Sequence, residues 1–170
     1  MKYTFNQHIH NYAVWTAARA VQRGFTSTVN IKSAIEAASL RDLIDKKTQF
    51  NENEFDAFHR ETARKIIENL QIIDSVVSNK ATYGRAAKII AIYIKTISVI
   101  RDSGSSNLAK YAHPPIDRIL LSNLHKRHNN LGFDKYTWTL LNEHSYFELI
   151  DKLRTFKYDY FWEVEEYWII

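Results

Sequence analysis

Three cations set in one apolar stretch are the residues of this 170-residue chain best placed for chemistry. Arg85, Lys88 and Lys95 fall at intervals of three and seven in a run whose other members, from Ala86 to Ile100, are nearly all apolar. On a helix those intervals place all three along one narrow strip. Withdrawing unpartnered cations from water costs on the order of several kcal/mol each. The strip therefore faces internal carboxylates or a wet cleft, unless the long stems carry the charges out at the helix ends. In a cleft, apolar walls lower a lysine's pKa and make it a nucleophile or base. The acid that would work with Lys88 is Asp117, in His113-Pro114-Pro115-Ile116-Asp117-Arg118. It reads equally as an acid favoured by the dipole and free amides of a helix's first turn. His113 is then a neighbour of the cap and Arg118 a surface partner.

Other chemistries find less. With no cysteine there is no disulfide framework, cysteine-ligated zinc or cysteine nucleophile. The seven histidines include His8-Ile9-His10 and His125-Lys126-Arg127-His128, but neither pair has a nearby acidic third ligand, and no metal or other cofactor is expected. His59 and His144 read as ordinary helix-face or cap residues. The four glycines are scattered, so no phosphate-cradling loop is present, and no serine sits in a nucleophile elbow. Trp15, Arg19 and Arg23 are spaced by four on the first helix, as an anion-contacting stripe or as a plain solvated face. The aromatic tail Tyr158–Trp168 offers rings for stacking, or for packing as core and lid.

These residues must be positioned by helices. Hydrophobic spacing is helical nearly throughout and no stretch sustains two-residue alternation. The pattern predicts helices over Asn11–Arg23, stopped at Gly24; Ile31–Ala38, capped by Asn30; and Leu40–Lys46, capped by Ser39. A longer one opens at Asn51 or Asn53 and buries Phe55, Phe58, Ala63, Ile66, Ile67 and Leu70. Ser78-Asn79-Lys80 breaks the pattern before a helix from Thr82–Gly84 to Ile100, apolar all round and therefore central. After the loop Asp102–Asn107, His113-Pro114-Pro115 starts a helix over Ile116–His125. Ser145–Phe156 and Tyr158–Trp168 close the chain. The expected fold is all-α, one domain over residues 1–170, with seven to nine helices.

Composition agrees with a folded domain: 45% of residues are hydrophobic and 25% charged. The net charge of +4 is unevenly spread. Residues 1–79 carry +1, residues 80–135 carry +7 and residues 136–170 carry −4. The central excess suits an anionic partner such as nucleic acid, or else packs against the acidic tail. The start, Met1–His8, lacks the apolar run of a secretory signal, and the most apolar stretch, Ala86–Ile100, is too short for a membrane span and contains Lys88 and Lys95, which leads to the expectation of a cytoplasmic protein without a membrane partner.

Two segments resemble a known family. Gly84-Arg85-Ala86-Ala87-Lys88-Ile89-Ile90-Ala91 resembles the hairpin-exit segment of helix-hairpin-helix DNA glycosylases, in which a glycine stands four positions before a lysine that starts an apolar helix. Pro115-Ile116-Asp117-Arg118-Ile119-Leu120-Leu121 resembles that family's later helix start, whose aspartate is catalytic. Phe161-Trp162-Glu163-Val164-Glu165 is similar to C-terminal helices of archaeal members, and the chain as a whole resembles small bacterial all-helical proteins. Ala86 stands where the hairpin's second glycine is expected, and Lys88 and Asp117 are further apart than in the family.

The resemblance implies a glycosylase-like helical architecture and DNA as partner. It also implies a reaction in which Lys88 attacks the sugar C1′ of a flipped nucleotide to form a Schiff base. Asp117 would stabilise the developing positive charge or assist deprotonation, and Arg85, Lys95, Arg118, His113, Arg19 and Arg23 would contact phosphates or line the cleft. The alternative is a non-enzymatic helical module of bacterial defence or regulation that binds a protein or nucleic acid, with the aromatic tail as its protein-binding face.

Overall fold

The computed structural model describes residues 2–46, 49–73 and 77–169. Among them there is no β-strand; eight α-helices are joined by short 3-10 turns. They are α1 (Phe5–Val21), α2 (Thr28–Ala37), α3 (Leu40–Lys46), α4 (Glu52–Ile73), α5 (Tyr83–Ile94), α6 (Asn107–Tyr111), α7 (Arg118–Arg127) and α8 (Glu143–Arg154). The expected all-α class is what the chain adopts.

Local chemistry starts most of these helices. Thr4 and Gln7 form a reciprocal capping box ahead of α1, Ser27 caps α2, and Asn51 exchanges hydrogen bonds of 2.9 Å with Glu54 at the head of α4. The α1 helix begins six residues earlier than its apolar pattern, because its polar first turns are solvated and carried by that box. Gly24, at φ +65°, follows its end as expected.

The centre is α5. It packs against α1, α4 and α8 and against the Trp138–Leu140 turn. Ala86, Ala87, Ile89, Ile90, Tyr93 and Ile94 are all buried. Each isoleucine so removed from water contributes about 1.5–3 kcal/mol. On the facing side of α1, Ala13, Ala17 and Ala18 are fully buried, and their small side chains let the two helices approach closely. The α5 helix runs on into a π turn, Lys95–Val99. Such turns are unusual and often adjoin functional sites.

Other expected boundaries differ as well: α2 starts at Thr28 behind Ser27 rather than at Ile31 behind Asn30. Pro114 and Pro115 do not open a helix; they lie buried in a non-helical segment, and α7 begins only at Arg118 with Asp117 as its N-cap. A residue before proline is driven out of the α region, so His113 and Pro114 both resist helix. The tail is not an α-helix but a 3-10 helix, Phe161–Tyr167. Its three-residue repeat aligns Phe161, Val164 and Tyr167 on one edge, which faces α6 and α7.

Candidate functional site

Lys88 and Asp117 converge. The ammonium of Lys88 lies 3.3 Å from Oδ2 of Asp117, 29 residues away in sequence, and the two side chains are 10% and 15% exposed. Each is placed by its helix. Lys88 is one turn into α5, on the same face as Gly84. Asp117 sits in extended backbone, where Oδ1 accepts the Leu120 N–H at 2.9 Å and caps α7.

Two tryptophans complete the surroundings. The Lys88 ammonium stands 4.5 Å from the ring centroid of Trp138, a cation–π distance. The Trp168 indole N–H donates to Asp117 Oδ2 at 2.9 Å. Burial pushes the Lys88 pKa down, while the charge and hydrogen bond of Asp117 pull the other way, and the net direction is down. An amine so placed gives up its proton more readily than a surface lysine.

Gly84 explains the local motif. Its N–H donates to the Leu141 carbonyl at 3.0 Å, and a Cβ on it would lie 1.9 Å from the Trp138 carbonyl oxygen. Glycine four residues before Lys88 is thus what lets the Trp138 segment come down onto α5 beneath the lysine. Its amide is engaged within the protein, so it is not the free donor to phosphate that a hairpin glycine would supply.

Further along the strip Lys95 pairs with Glu165 of the tail. Burial raises the Glu165 pKa against the pull of Lys95, and the charge of Asp117 adds to the rise. Lys88, Asp117, Glu165 and Lys95 therefore form one run of charge in which two neighbouring carboxylates lie between two lysines. Beside it opens a groove of about 720 Å³ lined by Lys95, Val99, Trp162, Glu163 and Glu165 among others. Trp162 donates from its indole to the Gly104 carbonyl at 3.0 Å.

The strip thus meets internal carboxylates at two of its three cations. Arg85 takes another course: it donates to the Lys80 carbonyl at 2.8 Å, lies over Phe25, and leaves its Nε buried without a hydrogen-bond partner. The basic central segment does pack in part against the acidic tail, through Lys95–Glu165 and Lys135–Glu148. Arg118, Arg19 and Arg23 are exposed. Arg118 borders a second pocket of about 450 Å³ that includes Trp138, His125 and Tyr136.

His113 departs from the phosphate-contacting or cleft-lining role expected of it. Rather than facing a phosphate, it is buried, with one ring nitrogen 3.0 Å from Asp56 and the other 3.1 Å from the Tyr146 hydroxyl. His59, expected as an ordinary helix-face or cap residue, lies on α4 and is fully buried beside it, 2.9 Å from Tyr83 and 3.4 Å from Tyr146. Arg154 holds Asp56 through two hydrogen bonds of 3.0 and 2.7 Å. Partners 57 and 98 residues apart leave no trace in local spacing. Among the described residues, no group of three or more histidine, aspartate or glutamate side chains is arranged to hold a metal ion. No helix among them is long and apolar enough to cross a membrane.

Substitution separates the two duties of Asp117. Asp117→Asn keeps an acceptor for the Leu120 amide; Asp117→Ala removes it at a cost of about 1 kcal/mol. Alanine additionally strands the Lys88 charge, so a total near 3 kcal/mol is expected at neutral pH. Denaturant unfolding of both variants measures the difference. Equal stability of Asp117→Ala and wild type would remove both duties.

No protein-family model, curated protein or solved structure matches this chain.

Proposed function

We propose that this protein engages nucleic acid and removes a modified or damaged base, with Lys88 as nucleophile and Asp117 as its acidic partner. The observation that carries the reading is the 3.3 Å convergence of an apolar-walled lysine and an aspartate from different helices, flanked by two tryptophans. Lys88 and Asp117 come from the two segments whose sequence resembles helix-hairpin-helix glycosylases, and that resemblance supports the reading. Lys88 passes its ammonium proton to Asp117, the amine attacks C1′ of a flipped nucleotide, the glycosidic C–N bond breaks, and the base leaves with the bonding electrons and takes up that proton. Loss of the amine proton and opening of the sugar ring then give a Schiff base. The groove beside Glu165 and Trp162 has room for the extruded base, and Arg118 and the other exposed cations of residues 80–135 would meet phosphate.

The test is borohydride trapping on a duplex with an abasic site, preceded by binding to duplex, single strand and abasic duplex at several salt concentrations. Wild type is expected to bind with steep salt dependence and to form a covalent adduct; Lys88→Ala is expected to fold, bind and form none. Trapping by a folded Lys88→Ala would assign the chemistry to another amine. Absence of binding at low salt would remove the reading altogether.

A second reading, a non-enzymatic helical binding module, is favoured by one observation: Lys88 and Asp117 already satisfy each other, and Asp117 is also engaged by Trp168 and the α7 cap. Binding without trapping would select it.

A further inference from the structure

We infer that the solvent face of α1 is a stacking platform for single-stranded nucleic acid. This rests on the nucleic-acid part of the proposed function but not on the chemistry of Lys88.

Apolar side chains normally turn inward on a helix of a globular domain, yet α1 turns its large rings outward. Phe5, Tyr12 and Trp15 are 74%, 55% and 51% exposed. At 3.6 residues per turn, Phe5, His8, Tyr12, Trp15 and Arg19 fall within an arc of about 80° and along a length of about 21 Å. The rings are organised as well as exposed: Tyr12 and Trp15 stack on each other with centroids 5.9 Å apart and planes tilted by 25°. Their outer faces remain open to water.

Charge selects the occupant. The first acidic residue in the sequence is Glu36, so nothing in α1 opposes an anion. Arg19 on α1 and Arg23 in the turn that follows it, both exposed, continue the cationic end of the face. Aromatic rings that accept any base, followed by cations that take the phosphates, are the two parts of a sequence-tolerant single-strand site. A single strand presents its bases; a duplex hides them in its stack. The platform is therefore expected to discriminate between the two.

The experiment measures fluorescence anisotropy of a labelled oligothymidylate of about a dozen nucleotides against wild type and three variants, at several salt concentrations. Tyr12→Ala/Trp15→Ala is expected to weaken binding roughly ten-fold or more. Arg19→Gln/Arg23→Gln is expected to reduce the slope of log affinity against log salt by roughly 0.7 per arginine. Lys65→Gln, on α4 away from both sites and paired with Glu61, is expected to bind as wild type does. Unchanged affinity in the aromatic variant overturns the platform. So does a wild type that binds duplex and not single strand; both results leave the glycosylase reading standing. Failure of wild type to bind either form overturns both. Should the aromatic variant alter oligomeric state in size-exclusion chromatography while binding DNA normally, the face belongs to a protein contact and the inference is lost. Should it fail to fold, the salt slope of the arginine variant decides alone.

Discussion

Gly84→Ala is expected to destabilise the protein by about 3 kcal/mol, the upper part of the range for overpacking a fixed interior. Helix propensity alone predicts the opposite sign, since alanine is better than glycine in a helix by about 1 kcal/mol. Sterics win because of what the added methyl meets. Its nearest neighbours are the Trp138 carbonyl oxygen at 1.9 Å, the Leu141 Cβ at 3.1 Å and the Trp138 carbonyl carbon at 3.1 Å. Two of the three are backbone, which cannot rotate away.

That backbone is also tied down. Leu141 accepts the Gly84 amide and Thr139 accepts the Thr82 hydroxyl at 2.8 Å, so the whole 138–141 segment must lift off α5. Lifting it carries Trp138 away from the Lys88 ammonium. Denaturant unfolding measures the stability loss, and the tryptophan emission of the folded variant should shift. A variant as stable as wild type would show that the 138–141 segment is not held against α5.

This contact shows where sequence reasoning reached and where it stopped. The all-round apolar character of α5 was enough to place that helix at the centre, because periodicity reports how many sides of a helix must be covered. Periodicity also aligned Arg85, Lys88 and Lys95, and the energetic objection to burying them demanded counter-charges. It did not say which ones. Asp117 and Glu165 reach the strip from α7 and the tail, and that approach is decided by how whole elements pack. Gly84 stood out only through the motif it shares with Lys88, and its reason lies across the interface in Trp138. The same limit explains His59 and His113: a histidine's local spacing carries no mark of the partner it will find 57 or 87 residues away. At Asp117 the local signal was present and misplaced by one or two residues, since the two prolines delay the helix that they were expected to start.

The buried histidines carry the second large effect: stability is expected to fall steeply below pH 6.5. Hydrogen-bond valence fixes one arrangement with both rings neutral. The Tyr83 hydroxyl donates to His59 Nδ1, and His59 Nε2–H donates to the Tyr146 oxygen. The Tyr146 hydroxyl donates in turn to His113 Nδ1, and His113 Nε2–H donates to Asp56, which Arg154 also holds. Every member of that chain is satisfied. Adding a proton to His113 gives Nδ1 a hydrogen that opposes the Tyr146 hydroxyl. Either the Tyr146 oxygen accepts from both rings and its own proton loses its acceptor, or the chain reverses as far as Tyr83, whose hydroxyl proton then has no partner among the described residues. Protonating His59 leaves Tyr83 in the same position.

Burial lowers the pKa of both histidines; for His59 the charge of His113 adds to the fall, while for His113 the hydrogen bond and charge of Asp56 oppose it. The unfolded chain takes up these protons near pH 6.5 and the folded chain only at lower pH. Stability is therefore complete above pH 6.5. It declines as pH falls from there, by up to about 1.4 kcal/mol per pH unit for each histidine that stays neutral in the fold. Asp56 extends the loss at the acid end. Burial pushes its carboxyl up, but the hydrogen bonds from His113 and Arg154 outweigh that and hold it at about 2, so its contribution disappears between pH 3.8 and 2. Denaturant midpoints at pH 7.5, 6.5, 5.5 and 4.5 give the profile. His113→Asn should flatten it and lower the plateau, because Asp56 and Tyr146 lose a partner. A wild-type stability that holds level from pH 7.5 to 4.5 would mean that both rings take up their protons in the folded protein as readily as in the unfolded chain, and that the hydrogen-bond chain does not oppose them.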